Sequence, residues 1–258
     1  TTIVLNLKNI VVKNNSDKAF SIESVHSLCV DLPGADFEML NLYGKWAKER
    51  SLGRHPLHTG IQSIKSKRGS SSHNHNPFTA LVSKNATETY GECYGFNLVY
   101  SSNFSIDVEV DSFLQTRVLM GINPENFTYL LKNGEAFQAP EVIHSFSNAG
   151  FSKLTHNYHN IIRKNLFRGK YADAKRPILI NNWEATYFNF TKEKLCAIAD
   201  AVSGTGIDTL VLDDGWFSTR TTDRAGLGDW WENPDRLPSG LGWLADEVNK
   251  LGLRFGLW

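Results

Sequence analysis

A short apolar run that ends in two adjacent carboxylates constrains this chain more than any other feature. Thr209–Leu212 is rich in residues that favour strands, and Asp213 and Asp214 follow it directly, before Gly215. A run of this kind is typical of a fully buried strand in a parallel sheet. Because an unpaired charge is costly to bury, we expect the two aspartates at the carboxyl end of the strand, where a loop opens.

Apolar runs on either side of this strand give a strand–helix–strand–helix–strand order. The flanking runs are residues 177–180 and 253–258. Residues 194–202 and 241–251 have helical spacing, and Thr191 is the expected N-cap of the first helix. This order predicts parallel strands with right-handed crossovers. In barrels built this way, active sites lie at the carboxyl ends of the strands.

The three predicted strands would present four notable side chains on one edge: Trp183, Asp213, Asp214 and Trp258. Each also has an ordinary structural alternative. Either aspartate could cap a helix or form a salt bridge in a loop. The two tryptophans could simply be core aromatics. The other tryptophans of this region are expected to pack within loops, with a contribution to a binding site left open: Trp216, Trp230 and Trp231.

The first part of the chain predicts a different architecture. Strand-like stretches recur at short intervals up to about residue 150, separated by turn residues, which indicates a large antiparallel β-sandwich. Residues 152–167 have the spacing of a helix, and residues 168–176 form a charged connector. We therefore expect one domain over residues 1–167, incomplete at its N-terminus, and a second over residues 168–258.

Composition excludes several functions. Lys plus Arg and Asp plus Glu both number 27, so no electrostatic footprint predicts binding to nucleic acid or to an anionic membrane. Cys29, Cys93 and Cys196 lack metal-ligand spacing. His73 and His75 could form a metal pair, but the sequence offers no evident third ligand, and we expect a structured loop without metal. Aromatic residues make up 12% of the chain, which suits either a large core or a site for sugar rings.

The compartment stays open. Five Asn-x-Ser/Thr triplets favour secretion only weakly, because a chain rich in Asn, Ser and Thr contains such triplets by chance. They begin at Asn14, Asn85, Asn103, Asn126 and Asn189.

Together these motifs resemble glycoside hydrolase family 36, the α-galactosidase family with an N-terminal β-supersandwich in front of a TIM (β/α)8 barrel. The resemblance covers nearly the whole chain. In the second domain it is carried by residues 181–188, 211–217, 227–230 and 253–258. In the first domain it is carried by residues 36–38, 43–47, 71–78 and 134–141, with His159, Arg163 and Arg168.

The resemblance implies retaining hydrolysis of terminal α-galactosides such as raffinose-type oligosaccharides, with no cofactor. Asp213 and Asp214 would hold the O4 and O6 hydroxyls of galactose, and Trp183 and Trp258 would wall the sugar. The family's nucleophile and acid/base aspartates come after later strands, so we expect both beyond Trp258, and this chain alone to be inactive. The resemblance also implies a homotetramer for the full-length protein.

Alternatives remain at this stage. Within the family, an α-N-acetylgalactosaminidase or a galactosyl transferase would carry the same motifs. From another class, a non-catalytic carbohydrate-binding module could combine a β-sandwich with aromatic platforms. The three strand–helix units argue against that module, since a lectin has no need of them.

Overall fold

Antiparallel strands make up most of residues 5–168. This computed structural model describes the backbone of residues 5–258 and the side chains of residues 7–258. The chain divides into two units after Arg168. The strands of the first unit are β1 (Leu5–Lys8), β2 (Val11–Lys13), β3 (Phe20–Ile22), β4 (His26–Leu32), β5 (Phe37–Lys45), β6 (Lys48–Pro56), β7 (Gly60–Lys65), β8 (His75–Ser83), β9 (Cys93–Val99), β10 (Phe104–Val110), β11 (Thr116–Ile122), β12 (Tyr129–Leu131), β13 (Ala136–Gln138) and β14 (Glu141–Ser147).

Two large antiparallel sheets form the body of the first unit. The six-stranded sheet has the order β1-β14-β9-β8-β5-β6, and the four-stranded sheet has the order β4-β11-β10-β7. Side chains from both sheets share one core: Leu28 and Met120 come from the smaller sheet, and Leu81, Leu98 and Val142 from the larger. This is the sandwich that the strand spacing predicts. Burial of the Cys93 side chain raises the pKa of its thiol to about 11, as expected of a cysteine with a packing role.

One helix covers the other face of the six-stranded sheet. Helix α1 (Gly150–Ile161) continues into a π-helical turn (Ile162–Leu166). Leu154, Tyr158 and Ile161 pack with apolar side chains of the sheet in a second core cluster. The predicted helix is therefore present, and its last turn is wound more loosely than an α-helix.

Two stretches of the first unit differ from the sequence expectation. Residues 3–12 form one of the strand-like stretches of the sequence, which predicts a single strand. Residues 3–4 lie outside the described part, and the rest forms β1 and β2, because β1 pairs with β14 while β2 pairs with β13 in another sheet. The expected loop at His75 is instead the start of β8, where His75 pairs with Tyr43 of β5.

The second unit alternates parallel strands with helices. Its elements are β15 (Leu179–Asn181), α2 (Trp183–Thr186), α3 (Lys192–Val202), β16 (Thr209–Leu212), α4 (Gly240–Lys250) and β17 (Arg254–Leu257). The sheet order is β15-β16-β17, with both pairings parallel. Helices α3 and α4 bury Leu195 and Leu244 against Leu210 and Leu212 of the central strand. None of the helices in residues 5–258 is long and apolar enough to cross a membrane.

Candidate functional site

The carboxyl ends of β15, β16 and β17 lie along one edge of the parallel sheet. Backbone hydrogen bonds continue past the ends of the outer strands. The N–H of Asn182 donates to the carbonyl of Val211 at 3.2 Å, and the N–H of Trp258 donates to the carbonyl of Leu212 at 3.0 Å. Every predicted site residue follows one of these ends within two positions. The aspartates follow the central strand, and Trp183 and Trp258 follow the two outer strands.

Asp213 is held in one orientation at this edge. Its Oδ2 accepts a hydrogen bond from Asn181 Nδ2 at 2.5 Å, and its Oδ1 accepts the backbone N–H of Asp214 at 2.7 Å. An ionised carboxylate accepts about four hydrogen bonds, so Asp213 can still accept from two more donors. The side chain is half-buried. It is a preorganised acceptor for a hydroxyl group.

Asn181 and Asn182 hold the site together, and sequence reasoning did not assign them a role. Asn181 Oδ1 accepts the N–H of Trp183 at 2.7 Å, so this side chain links Trp183 to Asp213. Asn182 is fully buried. It accepts the N–H of Asp213 at 2.7 Å and donates to Thr186 Oγ1 at 2.8 Å. The sequence signal for these roles was the pair of amide side chains at a strand end, because an amide can donate and accept hydrogen bonds at once and so connect neighbouring groups.

Asp214 has a different environment from Asp213. Only 7% of Asp214 is exposed, and its carboxylate pairs with Arg220, which is 3% exposed. Arg220 Nε donates to Oδ1 at 2.5 Å, and Nη2 donates to Oδ2 at 2.6 Å. Hydrogen bonding to Asp214 raises the pKa of Arg220, while burial acts in the opposite direction. Asp214 therefore forms the loop salt bridge that the sequence allowed as an alternative role. About two lone-pair sites of its carboxylate are still able to accept hydrogen bonds.

Both predicted tryptophans are backed by phenylalanine rings. The Trp183 ring is half-buried and meets Phe188 edge to face, with centroids 5.0 Å apart. Trp258 is 53% exposed, and its ring lies nearly parallel to that of Phe217, with centroids 6.4 Å apart. Trp216 Nε1 donates to the carbonyl of Trp258 at 3.1 Å. Aromatic residues thus follow the two strands that flank the strand ending in the acceptor, an arrangement that suits a sugar ring.

The loop after β16 requires glycine at its first turn. Gly215 has φ +96°, and a Cβ there would lie 2.9 Å from Phe188 Cδ1. Further along this loop, Trp216 is buried, as expected of loop packing. Trp230 and Trp231 remain more than half exposed, although the Trp230 ring lies 4.6 Å from that of Phe217.

Hydrogen bonds link the predicted residues, in part through intervening residues. Asp213 contacts Asp214, and Asn181 connects it to Trp183. Trp258 is joined to the central strand through its backbone. Among the described residues, 5–258, no group of three or more His, Cys, Asp or Glu side chains could hold a metal ion.

Comparison with known proteins gives consistent matches. The family model for the "Glycosyl hydrolase family 36 N-terminal domain" matches residues 7–132, and the "Melibiase" model matches residues 136–258. The chain is 51% identical over 246 residues to alpha-galactosidase AgaA of Geobacillus stearothermophilus, covering 95% of this chain and 34% of that protein. It is 43% identical over 252 residues to alpha-galactosidase Mel36A of Lactobacillus acidophilus, covering 98% and 34%.

Solved structures agree in fold. A crystal structure of a Geobacillus stearothermophilus AgaA variant in complex with raffinose is 49% identical, with a TM-score of 0.93 over 98% of this chain and 35% of that one. The predicted fold class, a β-sandwich followed by the start of a TIM-barrel catalytic domain, is confirmed by this similarity. The chain spans about a third of the length of these relatives. It belongs to glycoside hydrolase family 36.

Proposed function

We propose that the full polypeptide carrying this chain hydrolyses terminal, non-reducing α-D-galactose residues with retention of anomeric configuration. The observation that carries the proposal is the oriented acceptor Asp213 directly after the central strand, with Trp183 and Trp258 after the two outer strands. The relatives named alpha-galactosidase support the same activity.

In this proposal the described residues bind the sugar. Asp213 and Asp214 accept hydrogen bonds from the O4 and O6 hydroxyls of galactose, while Trp183 and Trp258 wall the C–H face of the ring. The axial O4 distinguishes galactose from glucose. A site built around this hydroxyl leaves its carboxylate unpaired when the hydroxyl is absent or misplaced, and such sites reject the wrong analogue by about 10⁴-fold or more.

The covalent steps need two further carboxyl groups. In a retaining mechanism one carboxylate attacks the anomeric carbon while a second carboxylic acid protonates the leaving oxygen, and the second then activates water. Asp213 and Asp214 are adjacent in one chain segment, so they cannot flank the bond from opposite sides. By the family resemblance, both catalytic carboxylates follow later strands of the barrel, and we propose that they lie beyond Trp258.

Raffinose-type oligosaccharides are the proposed natural substrates. Crystal structures of two variants of one relative, AgaA of Geobacillus stearothermophilus, contain raffinose in one case and stachyose in the other. The family resemblance also supports a homotetramer, which light scattering on the full polypeptide would test.

The activity is tested on the full polypeptide with p-nitrophenyl glycosides. We expect hydrolysis of the α-galactoside, little hydrolysis of the α-glucoside or the α-N-acetylgalactosaminide, and α-galactose as the first product in a proton NMR time course. Preference for the α-N-acetylgalactosaminide would assign the related specificity, and β-galactose as first product would refute retention. Binding of galactosides without turnover would favour a carbohydrate-binding module.

A further inference from the structure

The ion pair between Asp214 and Arg220 is unusual because both partners are almost fully buried. Removing two charges from water is costly, and such a pair is weak evidence for a role in stability alone. The pairing uses both carboxylate oxygens and two guanidinium nitrogens. This fork fixes the plane of the carboxylate as well as its position.

Arg220 also touches the rings behind both tryptophans. Its guanidinium carbon lies 5.9 Å from the centroid of the Phe188 ring and 5.7 Å from that of Phe217. Phe188 is the ring that meets Trp183, and Phe217 is the ring that lies against Trp258. Cation–π contacts of this length are attractive, and more so when water is excluded.

Arg220 is itself fixed by its own loop. Its Nη1 donates to the carbonyl of Ala225 at 2.5 Å. Gly226 follows at once, and a Cβ there would lie 3.0 Å from Arg220 Cβ. The loop therefore packs closely against the Arg220 side chain, at its Cβ and at one guanidinium nitrogen.

We infer that Arg220 is a positioning residue for galactose recognition, setting the Asp214 carboxylate and the ring pairs Phe188–Trp183 and Phe217–Trp258 in one arrangement. The inference rests on the proposed function and deepens it. Arg220 is almost fully buried and its three guanidinium nitrogens already donate within the loop, so we assign it no bond to the sugar. Its effect reaches the sugar through Asp214 and through the two tryptophans, so its loss weakens recognition of particular hydroxyls rather than turnover in general.

A lysine cannot replace Arg220 in this role. Lysine keeps the positive charge, but its ammonium group is a point charge without the planar fork. It cannot hold both carboxylate oxygens of Asp214 in plane while also donating to Ala225. Arg220→Lys therefore preserves charge and removes orientation.

The test compares galactosides with their 4-deoxy and 6-deoxy counterparts in the full polypeptide. For Arg220→Lys we expect the preference for the parent sugar over at least one deoxy sugar, measured as a ratio of kcat/KM values, to fall about tenfold, the value of one hydrogen bond to a charged group. The loss should appear mainly in KM. In an Asp214→Asn background, Arg220→Lys should lower the same ratio little further, because the two residues act as one unit.

Arg236→Lys is the matched control. The Arg236 guanidinium donates to the carbonyl of Phe188 and lies 5.3 Å from the Phe190 ring centroid. Arg236 thus supports Phe188, as Arg220 does, but it has no bond to either aspartate among the contacts of the described residues. We therefore expect an unchanged ratio in Arg236→Lys, which isolates the effect that passes through Asp214. A purely structural effect of losing a guanidinium would lower activity on all three sugars equally and leave the ratios unchanged.

A glycine pair covers the case in which Arg220→Lys does not fold. Gly226→Ala crowds Arg220, whereas a Cβ at Gly228 meets no atom within 4 Å, and both positions have positive φ. We expect a lower ratio in Gly226→Ala and an unchanged ratio in Gly228→Ala. If the unaltered enzyme hydrolyses α-galactosides but neither Arg220→Lys nor Gly226→Ala changes the ratio, the inference is overturned. If the unaltered enzyme hydrolyses no α-galactoside, the proposed function itself is refuted.

Discussion

At the scale of single residues, one sequence motif produces two chemically different carboxylates. Asp213 is half-buried and is oriented by neutral donors, whereas Asp214 is buried against a charge. The sequence predicted that both would follow a strand end, because their charge excludes the strand interior. It could not predict Arg220, since a partner six positions later in an irregular loop carries no periodic signal.

Alanine variants of the two asparagines that bond to Asp213 should differ in their effects: one should lower stability, and the other should weaken sugar binding. Asn182→Ala removes a fully buried amide and leaves the partly buried N–H of Asp213 without its acceptor, and we expect it to lower the free energy of unfolding by about 1–3 kcal/mol. Asn181→Ala, at an exposed position, should change stability by no more than about 0.5 kcal/mol. It should raise KM, because Asp213 and Trp183 lose their common partner.

Urea unfolding and steady-state kinetics on the full polypeptide measure both quantities for the asparagine variants. We expect Asn182→Ala to lower the free energy of unfolding and Asn181→Ala to raise KM with little change in stability. Equal losses of stability, or an unchanged KM in Asn181→Ala, would contradict the roles assigned to these side chains.

At the scale of elements, the sequence predicted helices and strands correctly where a capping residue or a bounded apolar run marks their ends. Thr191 accepts the N–H of Lys194 through its side chain, as the predicted N-cap should. Strand β16 has the predicted bounds because its four residues are apolar or β-branched between breakers. Helix α2 was not predicted, since four residues are too few to show periodicity. The start of β8 at His75 depends on pairing with β5, which is distant in sequence.

The cap at Thr191 gives a prediction for helix α3. We expect Thr191→Ala to lower the free energy of unfolding by about 1 kcal/mol and to leave kcat/KM unchanged, because the first N–H groups of the helix lose an acceptor. Thr205→Ala is the control, since this exposed threonine donates only to a carbonyl at the other end of the same helix. It should change stability by less than about 0.5 kcal/mol. A larger loss in the control would show that capping is not the cause.

At the scale of the whole molecule, the two units differ in how far their sequence determines them. In residues 169–258 the sheet order follows from chain order, because parallel strands joined by helices cross over with one hand. In residues 5–168 the sequence predicted short antiparallel strands, but it did not predict their order in the sheet, β1-β14-β9-β8-β5-β6. It depends on pairings between segments far apart in sequence, which local patterns do not encode.

The most direct test of the account is a crystal structure of the full polypeptide with bound galactose. We predict that the sugar lies at the carboxyl ends of β15, β16 and β17, with its O4 and O6 about 2.5–3.0 Å from carboxylate oxygens of Asp213 and Asp214. The Trp183 and Trp258 rings should contact the sugar. A galactose bound elsewhere, or one at this edge whose hydroxyls contact neither aspartate, would contradict the central claim.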